Sequence, residues 1–521
     1  MRRISEFDRR LFARVAAGRL RGAHPTLPRL SRAADHGRLW LGAAGVLGAV
    51  GGRTARRAAL RGVGSLAAAS LASNMVVKWT VDRRRPVLDG VPLMRRLREQ
   101  PWTSSFPSGH SASAAAFATG VALESSRYGL LVAPLAAAVA VSRVYVGVHY
   151  PSDVLAGIAI GVGAAVFTCR YWPPRPEVPA QARPRVSAPA LPKGEGLVLL
   201  VNQRAGAAAV GGLSTADQLR VLLPAAEILE CGPDDDFMTL LQTAGRRASE
   251  RAGALGICGG DGSVNAAATL AAERGLPLAV FAGGTLDHFA LDVGVPAYED
   301  TAHAVTEGDA VAVDLARAAP VSDSDADEDT KHFVNTFSIG FYPELVRIRE
   351  SLQDRLGKWP AAAVALTRVL RTAEPMEIEV NGHKRRLWVL FVGNGGYSPD
   401  GFAPAYRDQL DDGLLDVRAI DGDQRLARTR LLFAALTGTL GRSHVYSTAR
   451  MRTLRLSGLD DVRSLAYDGE VSGTRAGALR LDKLPGALTV YRPAEPQNEL
   501  LQRARSAAAK APHWWRSVLR R

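Results

Sequence analysis

Three stretches of this 521-residue chain set cations, hydroxyls and imidazoles at the borders of apolar runs. The first holds Lys78, Arg85 and Pro86; the second is Pro-Ser-Gly-His, Pro107 to His110; the third holds Ser142, Arg143, His149 and Asp153. Lys78, Arg85 and Arg143 offer cationic donors to phosphate oxygens, the arginines in bidentate fashion. Ser108 and the Gly109 amide, expected at a helix N-terminus, add neutral donors. Five such donors suit a pentacoordinate phosphoryl group, and two imidazoles suit a nucleophile and a general acid. A spacing of four puts Asp153 one turn from His149 if the helix has begun. A lone histidine at such a border is ordinarily a satisfied interfacial side chain, but ionisable groups in or beside spanning helices are costly and usually functional.

A second group lies in the C-terminal half. "GGDGSVN", Gly259 to Asn265, sits between an apolar strand and an alanine-rich helix. Glycines there let backbone amides approach phosphate oxygens, and the following helix N-terminus favours negative charge. Many tight turns look alike, and the spacing differs from both the Walker A loop and the Rossmann fingerprint. "GGTLDHFA", Asp314, "VNTFSIGF", "LDDGLLDV" and "YDGEV" follow in order.

Apolar runs at about 39–52, 58–77, 111–124, 129–148 and 154–171 must position the first group. A spanning helix needs roughly 20 residues; the shorter runs are mostly Ala, Gly and Ser, which pack closely in bilayers. These runs predict a membrane bundle of five or six helices, with an amphipathic or spanning piece before Leu39. The alternative is a soluble alanine-rich bundle, suggested by Arg61 and Glu124, but soluble helices of this length should show a charged face. The N-terminus lacks an apolar region with a cleavage site and does not read as a cleavable signal peptide. Residues 173–195 are proline-rich, which prevents helix and favours an extended spacer. From Leu197 short strands alternate with helices, as in an α/β domain; beyond Asp314 strand-like segments dominate.

The composition, 47% hydrophobic but only 6% aromatic with a mean hydropathy of −0.01, fits a chain part membrane-embedded and part soluble. A formal charge of +14 suits nucleic acid, anionic lipid or an anionic substrate. No nucleic-acid motif is present, and basic residues collect beside apolar segments, which favours lipid headgroups. Cys169, Cys231 and Cys258 have no CxxC spacing, so neither a disulfide framework nor a structural zinc site is indicated. "SDSDADED", 322–329, reads as a solvated loop rather than a metal loop. The tail 493–521, basic and carrying Trp514 and Trp515, reads as a helix on an anionic leaflet, with a partner-binding helix as the other reading. His288 and His444 have no assigned role.

The order and spacing of the first three motifs resemble the type 2 phosphatidic acid phosphatase (PAP2) family over about residues 38–172. The resemblance implies that His149 attacks phosphorus and forms a phosphohistidine, that Asp153 holds its other ring nitrogen, that His110 protonates the leaving alkoxide, and that no metal takes part. Vanadate-dependent haloperoxidases share these motifs but are usually soluble. All three motifs fall on one membrane face. The basic turns on the other face favour a cytoplasmic location for that face, although 83–98 weakens the bias, and this places the phosphatase outside and the C-terminal half inside.

The second group resembles the diacylglycerol kinase catalytic domain family, shared with sphingosine and ceramide kinases, over about residues 196–492. The resemblance implies an α/β nucleotide domain followed by a β-sandwich with the site in the cleft between them. It implies that Asn202, Gly259, Gly260, Asp261, Gly262, Ser263, Gly284 and Thr285 bind ATP, that Glu470 is the general base, and that Asp411 and Asp412 hold a structural magnesium. Several positions depart from the family pattern: "NQRAG" stands for Asn-Pro-x-Ser-Gly, Ser263 for Thr, Ala266 for Glu, and "LDH" for x-Asn-Asp, so that Asp287 adds negative charge near the phosphates. A degenerate domain that only binds lipid is the alternative.

The expected chain is thus multidomain: an all-α membrane phosphatase bundle (1–172), a linker (173–195), an α/β nucleotide-binding part (196–318), a mainly β-sandwich part (319–492) and a basic tail. Its expected partners are membrane lipids, through an anionic leaflet, with no nucleic acid; its cofactors are ATP and magnesium, in the kinase half.

Overall fold

Small residues bring the N-terminal helices together until backbone meets backbone. In the computed structural model, which describes residues 2–18, 23–73, 83–88, 91–97, 103–176, 178–182, 185–203, 214–284, 286–321, 330–356 and, with interruptions of one or two positions, 361–401 and 405–494, these helices are α1 (Arg2–Ala17), α2 (Ala23–Ala33), α3 (Arg38–Val50), α4 (Arg53–Leu71), α5 (Gly109–Glu124), α6 (Ser126–Tyr145) and α7 (Pro151–Thr168). Helix α5 packs against α4, α6 and α7. A Cβ added at Gly157 would lie 2.4 Å from Ser108 O, and one at Gly161 2.3 Å from Ala112 O. These glycines, one turn apart on α7, are therefore what lets α7 lie against the start of α5.

The bundle is apolar inside and out. Trp40, Phe117, Val121 and Val139 are buried, while Leu41, Leu60, Leu130, Leu131 and Leu155 are exposed. Two helices, Ser126–Tyr145 and Pro151–Thr168, are long and apolar enough to cross a membrane by length and composition. Arg61 and Glu124, which fall inside apolar runs, are paired: Arg61 Nε donates to Glu124 Oε2 (2.8 Å), Arg57 Nε to Glu124 Oε1 (2.6 Å), and the Arg61 guanidinium stacks 4.6 Å from the Trp172 ring centroid.

The chain forms two compact units: residues 1–178 with 397–406 and 426–446, and residues 179–396 with 407–425 and 447–521. The second unit begins inside the proline-rich segment. That segment is bonded into the unit: β1 (Arg185–Ser187) pairs with β6 (Asp309–Pro320), Ala180 N donates to Asp292 O (2.9 Å), and Pro192–Gly194 form a single 3-10 turn.

Strands β2 (Leu197–Asn202), β3 (Glu227–Cys231), β4 (Ala254–Gly259) and β5 (Leu278–Ala282) form a parallel sheet in the order β3-β2-β4-β5. Along β2, Val198 and Leu200 enter one core with Leu241 and Val264, while Leu197, Leu199 and Val201 enter another with Leu219 and Val305. That alternation explains why the strand is apolar throughout: both faces are covered by helices, α9 (Phe237–Glu250) and α10 (Asp261–Arg274) on one, α8 (Thr215–Leu222) and α12 (Tyr298–Glu307) on the other. The short α11 (His288–Val293) precedes α12.

The antiparallel part comprises β7 (Lys331–Phe333), β8 (Thr336–Gly340), β9 (Met376–Val380), β10 (His383–Asn394), β11 (Leu415–Asp421), β12 (Thr453–Ser457), β13 (Ser464–Tyr467), β14 (Glu470–Gly473) and β15 (Ala478–Tyr491) around a core of Phe333, Phe337, Leu390, Val392, Leu454 and Leu481. The last strand joins the two parts, pairing with β6 along its length and with β5 at Val490↔Leu278. Two helices, α13 (Phe341–Leu356) and α14 (Ala427–Thr437), interrupt the strands that sequence pattern predicted here. Helix α14 groups with the first unit, where Thr437 O accepts a hydrogen bond from Arg170 Nη1 (3.2 Å).

Candidate active sites

In the helical unit His149 lies in the turn between α6 and α7 and is only 3% exposed. Its Nδ1 donates to Ser105 O at 2.6 Å, which leaves Nε2 as the ring atom with the lone pair. Burial lowers the imidazole pKa to about 4, assisted by the Arg143 and Arg85 charges and opposed by Asp153, so the ring is neutral at neutral pH. Asp153, at the start of α7, accepts from Ser105 Oγ (2.5 Å), Tyr150 N (2.9 Å) and Arg83 Nη1 (2.6 Å), while its Oδ2 stands 3.8 Å from His149 Nδ1. Asp153 therefore holds His149 through Ser105 rather than by a direct hydrogen bond, because its lone pairs are already engaged.

His110, on the first turn of α5, pairs through Nε2 with Asp35 Oδ1 at 2.7 Å. The bond from His110 holds Asp35 below the usual carboxylate range, against burial. Arg143 Nη1 donates to Ser31 Oγ, and its Nε is buried with no hydrogen-bond partner among the described residues, a donor left over for an anion. Arg85 donates to Thr103 O (2.9 Å) and Val148 O (2.8 Å), which fixes the guanidinium beside the His149 turn. Arg143 is near enough to feel the charges of both Asp35 and Arg85. His110, Asp35, Arg143, Arg85 and His149 thus form one cluster. Ser108 caps α5 through its Oγ, and its N–H donates to Asp153 O (3.0 Å), so its amide is committed to the scaffold; Gly109 is the first residue of the helix. Lys78 lies outside the described residues.

In the second unit the Gly-rich loop turns from β4 into α10, whose N-cap, Gly260, offers no side-chain cap. The first-turn amides therefore meet an incoming anion rather than a side chain. Asn202 Nδ2 donates to Ser263 Oγ (2.9 Å), joining the end of β2 to this loop. A Cβ at Gly262 would come 2.6 Å from Glu470 Oε1, and one at Gly284 2.6 Å from Gly260 Cα. Glycine at these positions lets Glu470 and the second loop approach the phosphate loop. Partial desolvation beside the loop raises the Glu470 pKa, although the residue stays exposed to solvent. Thr285 lies outside the described residues.

Asp468 organises the floor. It accepts from the amides of Val334 (2.8 Å), Asn335 (2.9 Å) and Thr336 (2.7 Å), and burial raises its pKa to about 7 against those bonds. Asn335 Nδ2 in turn donates to Asp261 Oδ1 (3.3 Å), and Arg407 links Asn335 Oδ1 (3.1 Å) to Asp292 (2.8 Å).

The profile of the PAP2 superfamily matches residues 58–177, that of the diacylglycerol kinase catalytic domain residues 196–318, and that of the YegS C-terminal NAD kinase beta sandwich-like domain residues 348–492. The chain is 38% identical over 142 residues to the decaprenylphosphoryl-5-phosphoribose phosphatase of Mycobacterium tuberculosis, covering 26% of this chain and 75% of that one. It is 31% identical over 247 residues to a Pseudomonas syringae protein named "Probable lipid kinase YegS-like", covering 46% and 75%. The chain belongs to both families. It is also 45% identical over 64 residues to the lipid A 1-phosphatase of Rhizobium johnstonii, but this match spans only 26% of that relative and 12% of this chain.

Asp287 lies beside the second loop: it is 3% exposed, sits in the left-handed region (φ 50°), and its Oδ1 accepts from Gly284 N (2.8 Å). One expectation for the YegS-like half changes: the predicted magnesium pair does not assemble. Asp412 is engaged by Lys483, and no group of three or more His, Cys, Asp or Glu that could hold a metal occurs among the described residues. Asp411 is half-buried in the same turn but is not part of that ion pair.

Sequence reasoning missed Asp8, Ser31, Asp35 and Ser105 in the PAP2 half and Asp468, Asn335 and Arg407 in the kinase half. Asp8 accepts from Ser152 N (2.9 Å) and Arg83 Nη2 (2.6 Å), so α1 and α2 belong to the site's scaffold. Asp468 and Asn335 lie inside the "YDGEV" and "VNTFSIGF" segments without having been given a role, and no motif marks the others. The one available signal was an acidic or hydroxyl residue recurring just before an apolar run.

Proposed function

We propose that the chain is a bifunctional lipid enzyme in which the PAP2 half hydrolyses a lipid phosphate monoester and the kinase half phosphorylates a lipid hydroxyl with ATP. The observation that carries the first activity is the neutral, buried His149 with Nδ1 fixed on Ser105 O beside Arg85 and Arg143. His149 Nε2 attacks phosphorus, the P–O ester bond breaks, and His110, held by Asp35, gives its proton to the leaving alkoxide. Water then attacks the phosphohistidine, His110 takes the proton, and inorganic phosphate leaves. Arg85, Arg143 with its spare Nε, Gly109 and Lys78 bind the phosphoryl oxygens. Ser105 and Asp153 keep the nucleophile in one tautomer. The relatives named for polyprenyl-linked and lipid A phosphates support a phosphate on a lipid tail, phosphatidic acid or a polyprenyl phosphate, as the substrate.

In the kinase half, Glu470 takes the proton of the lipid hydroxyl as its oxygen attacks the γ-phosphorus of ATP, and ADP leaves. Asn202, Gly259, Gly260, Gly262, Ser263, Gly284 and Thr285 hold the phosphates, while Asp261 fixes the floor through Asn335. A raised pKa suits Glu470 as a base. Diacylglycerol is the acceptor class that the kinase profile supports.

The partner of both halves is the bilayer. Exposed leucines around the bundle and two helices of spanning length support a multi-pass membrane protein, and the basic turn at Arg53, Arg56 and Arg57 supports an anionic cytoplasmic leaflet on the face opposite His149. On this reading the phosphatase faces the outside and the kinase the inside.

The test uses the full chain in lipid. Phosphate release from phosphatidic acid in EDTA should fall by three orders of magnitude or more in His149→Ala, and transfer of labelled γ-phosphate to a mixed lipid extract should be lost in Glu470→Gln. Each variant should keep the other activity; release that survives His149→Ala, or transfer that survives Glu470→Gln, refutes the corresponding half.

A further inference from the structure

Three separate segments of the second unit meet around one ammonium group. Lys483, on the long last strand, places Nζ 2.9 Å from Asp314 Oδ2 and 3.0 Å from Asp412 Oδ1. The Lys483 and Asp314 side chains are each 2% exposed. Asp314 lies on β6, Asp412 in the turn entering β11.

Every oxygen of the two carboxylates also takes a backbone amide. Asp314 Oδ1 accepts from Gly486 N (2.9 Å) and Oδ2 from Gly413 N (2.9 Å); Asp412 Oδ1 accepts from Leu414 N (3.0 Å) and Oδ2 from Gly396 N (3.0 Å). The pair thereby pins three turns of chain, at Gly396, Gly413–Leu414 and Gly486, to one another. A magnesium or calcium ion requires six or more oxygen ligands. Here two of the four oxygens carry both an amide and the ammonium, and all four are engaged. The cleft of about 350 Å³ that opens on Lys483 is lined also by Arg452, Arg480 and Asp482; Asp482 is paired with Arg317 and Arg480, and the excess of cations disfavours entry of a divalent ion.

We propose that Lys483 is a built-in structural cation: its ammonium ties Asp314 to Asp412 in the place where the resemblance to diacylglycerol kinases implied a structural magnesium, so this fold is held without a metal there. The proposal rests on the kinase reading of the fold and not on its catalysis. Magnesium is then needed only as the companion of ATP.

The experiment is thermal unfolding of the nucleotide-free full chain in lipid nanodiscs, in EDTA or in millimolar magnesium, with manganese binding followed by electron paramagnetic resonance. The wild-type Tm should be the same in both buffers, and no tight manganese site should be found. Lys483→Met leaves two carboxylates facing each other unpaired, and its Tm in EDTA should fall by roughly 10 °C. Magnesium or calcium should recover part of that loss in the variant alone. A wild-type Tm that rises with magnesium, or tight manganese binding abolished by Asp412→Asn, overturns the proposal. Should Lys483→Met not fold, the wild-type measurements decide it unaided. A chain without kinase activity would leave these results standing, so the two readings fail separately.

Discussion

Single residues divide the work of the phosphatase site between charge and tautomer. Asp35 is paired with His110; in the proposed mechanism it acts through that imidazole, whose proton goes to the leaving alkoxide. Asp35→Asn should therefore lower turnover of a lipid phosphate about 10- to 100-fold. The same variant should hydrolyse a nitrophenyl phosphate nearly as fast as wild type, because that leaving group needs no proton. Equal loss on both substrates would show a merely structural role. His149 gives a second measurement. Its pKa is depressed to about 4, so as pH falls the nucleophile stays unprotonated past the ordinary histidine range. The kcat/KM for phosphate release should hold between about pH 7 and 5 if only His149 is limiting, whereas an unperturbed histidine would lose half its active form near pH 6.5. A profile with its acid limb at 6.5 contradicts the burial of that ring.

Helices and strands carry those residues to one another, and here the sequence was legible unevenly. Four of the five apolar runs match α3 and α5 to α7 within about three residues, because Ala, Gly and Ser patterns encode helix contact directly, whereas the run 58–77 meets α4 shifted to Arg53–Leu71 and its last four positions lie outside the described residues. The glycine loop and the YDGE segment were legible because only glycine allows Glu470 to lie against position 262. Asp35, Ser31 and Asp8 were not, since their partners lie on helices far along the chain and nothing local marks the pairing. Helices α13 and α14 were hidden by the strand-like composition around them. Arg61 and Glu124, which argued for a soluble bundle, proved to neutralise each other inside it. The packing of α7 on α5 gives the prediction at this scale. Gly157→Ala puts a methyl 2.4 Å from Ser108 O, so α7 must move away from the turn that holds His110. The bundle should lose about 1–3 kcal/mol, and phosphatase activity should drop with it while lipid phosphorylation stays unchanged. Unaltered phosphate release in Gly157→Ala, measured beside Gly163→Ala, where a Cβ meets nothing within 4 Å, would rule out that close contact as a positioning device.

For the whole molecule the decisive fact is connectivity. Helix α7 starts two residues after His149 and its 18 residues, about 27 Å at 1.5 Å each, are close to the thickness of a hydrocarbon core. If α7 spans, as the proposed topology requires, its C-terminal end lies on the face opposite the phosphate cluster. The two chemistries, one removing a phosphoryl group and one adding it, would then face different compartments and draw on different leaflets, which prevents a futile cycle of ATP hydrolysis on one lipid pool. Sealed inside-out membrane vesicles test this. Externally added ATP should label lipid without permeabilisation, whereas a short-chain, impermeant lipid phosphate added outside should be hydrolysed only after the vesicles are opened. Right-side-out vesicles should give the reverse. Were both activities latent in the same orientation, α7 could not be crossing the bilayer between the two sites, and the assignment of opposite faces would have to be abandoned even with each enzyme intact.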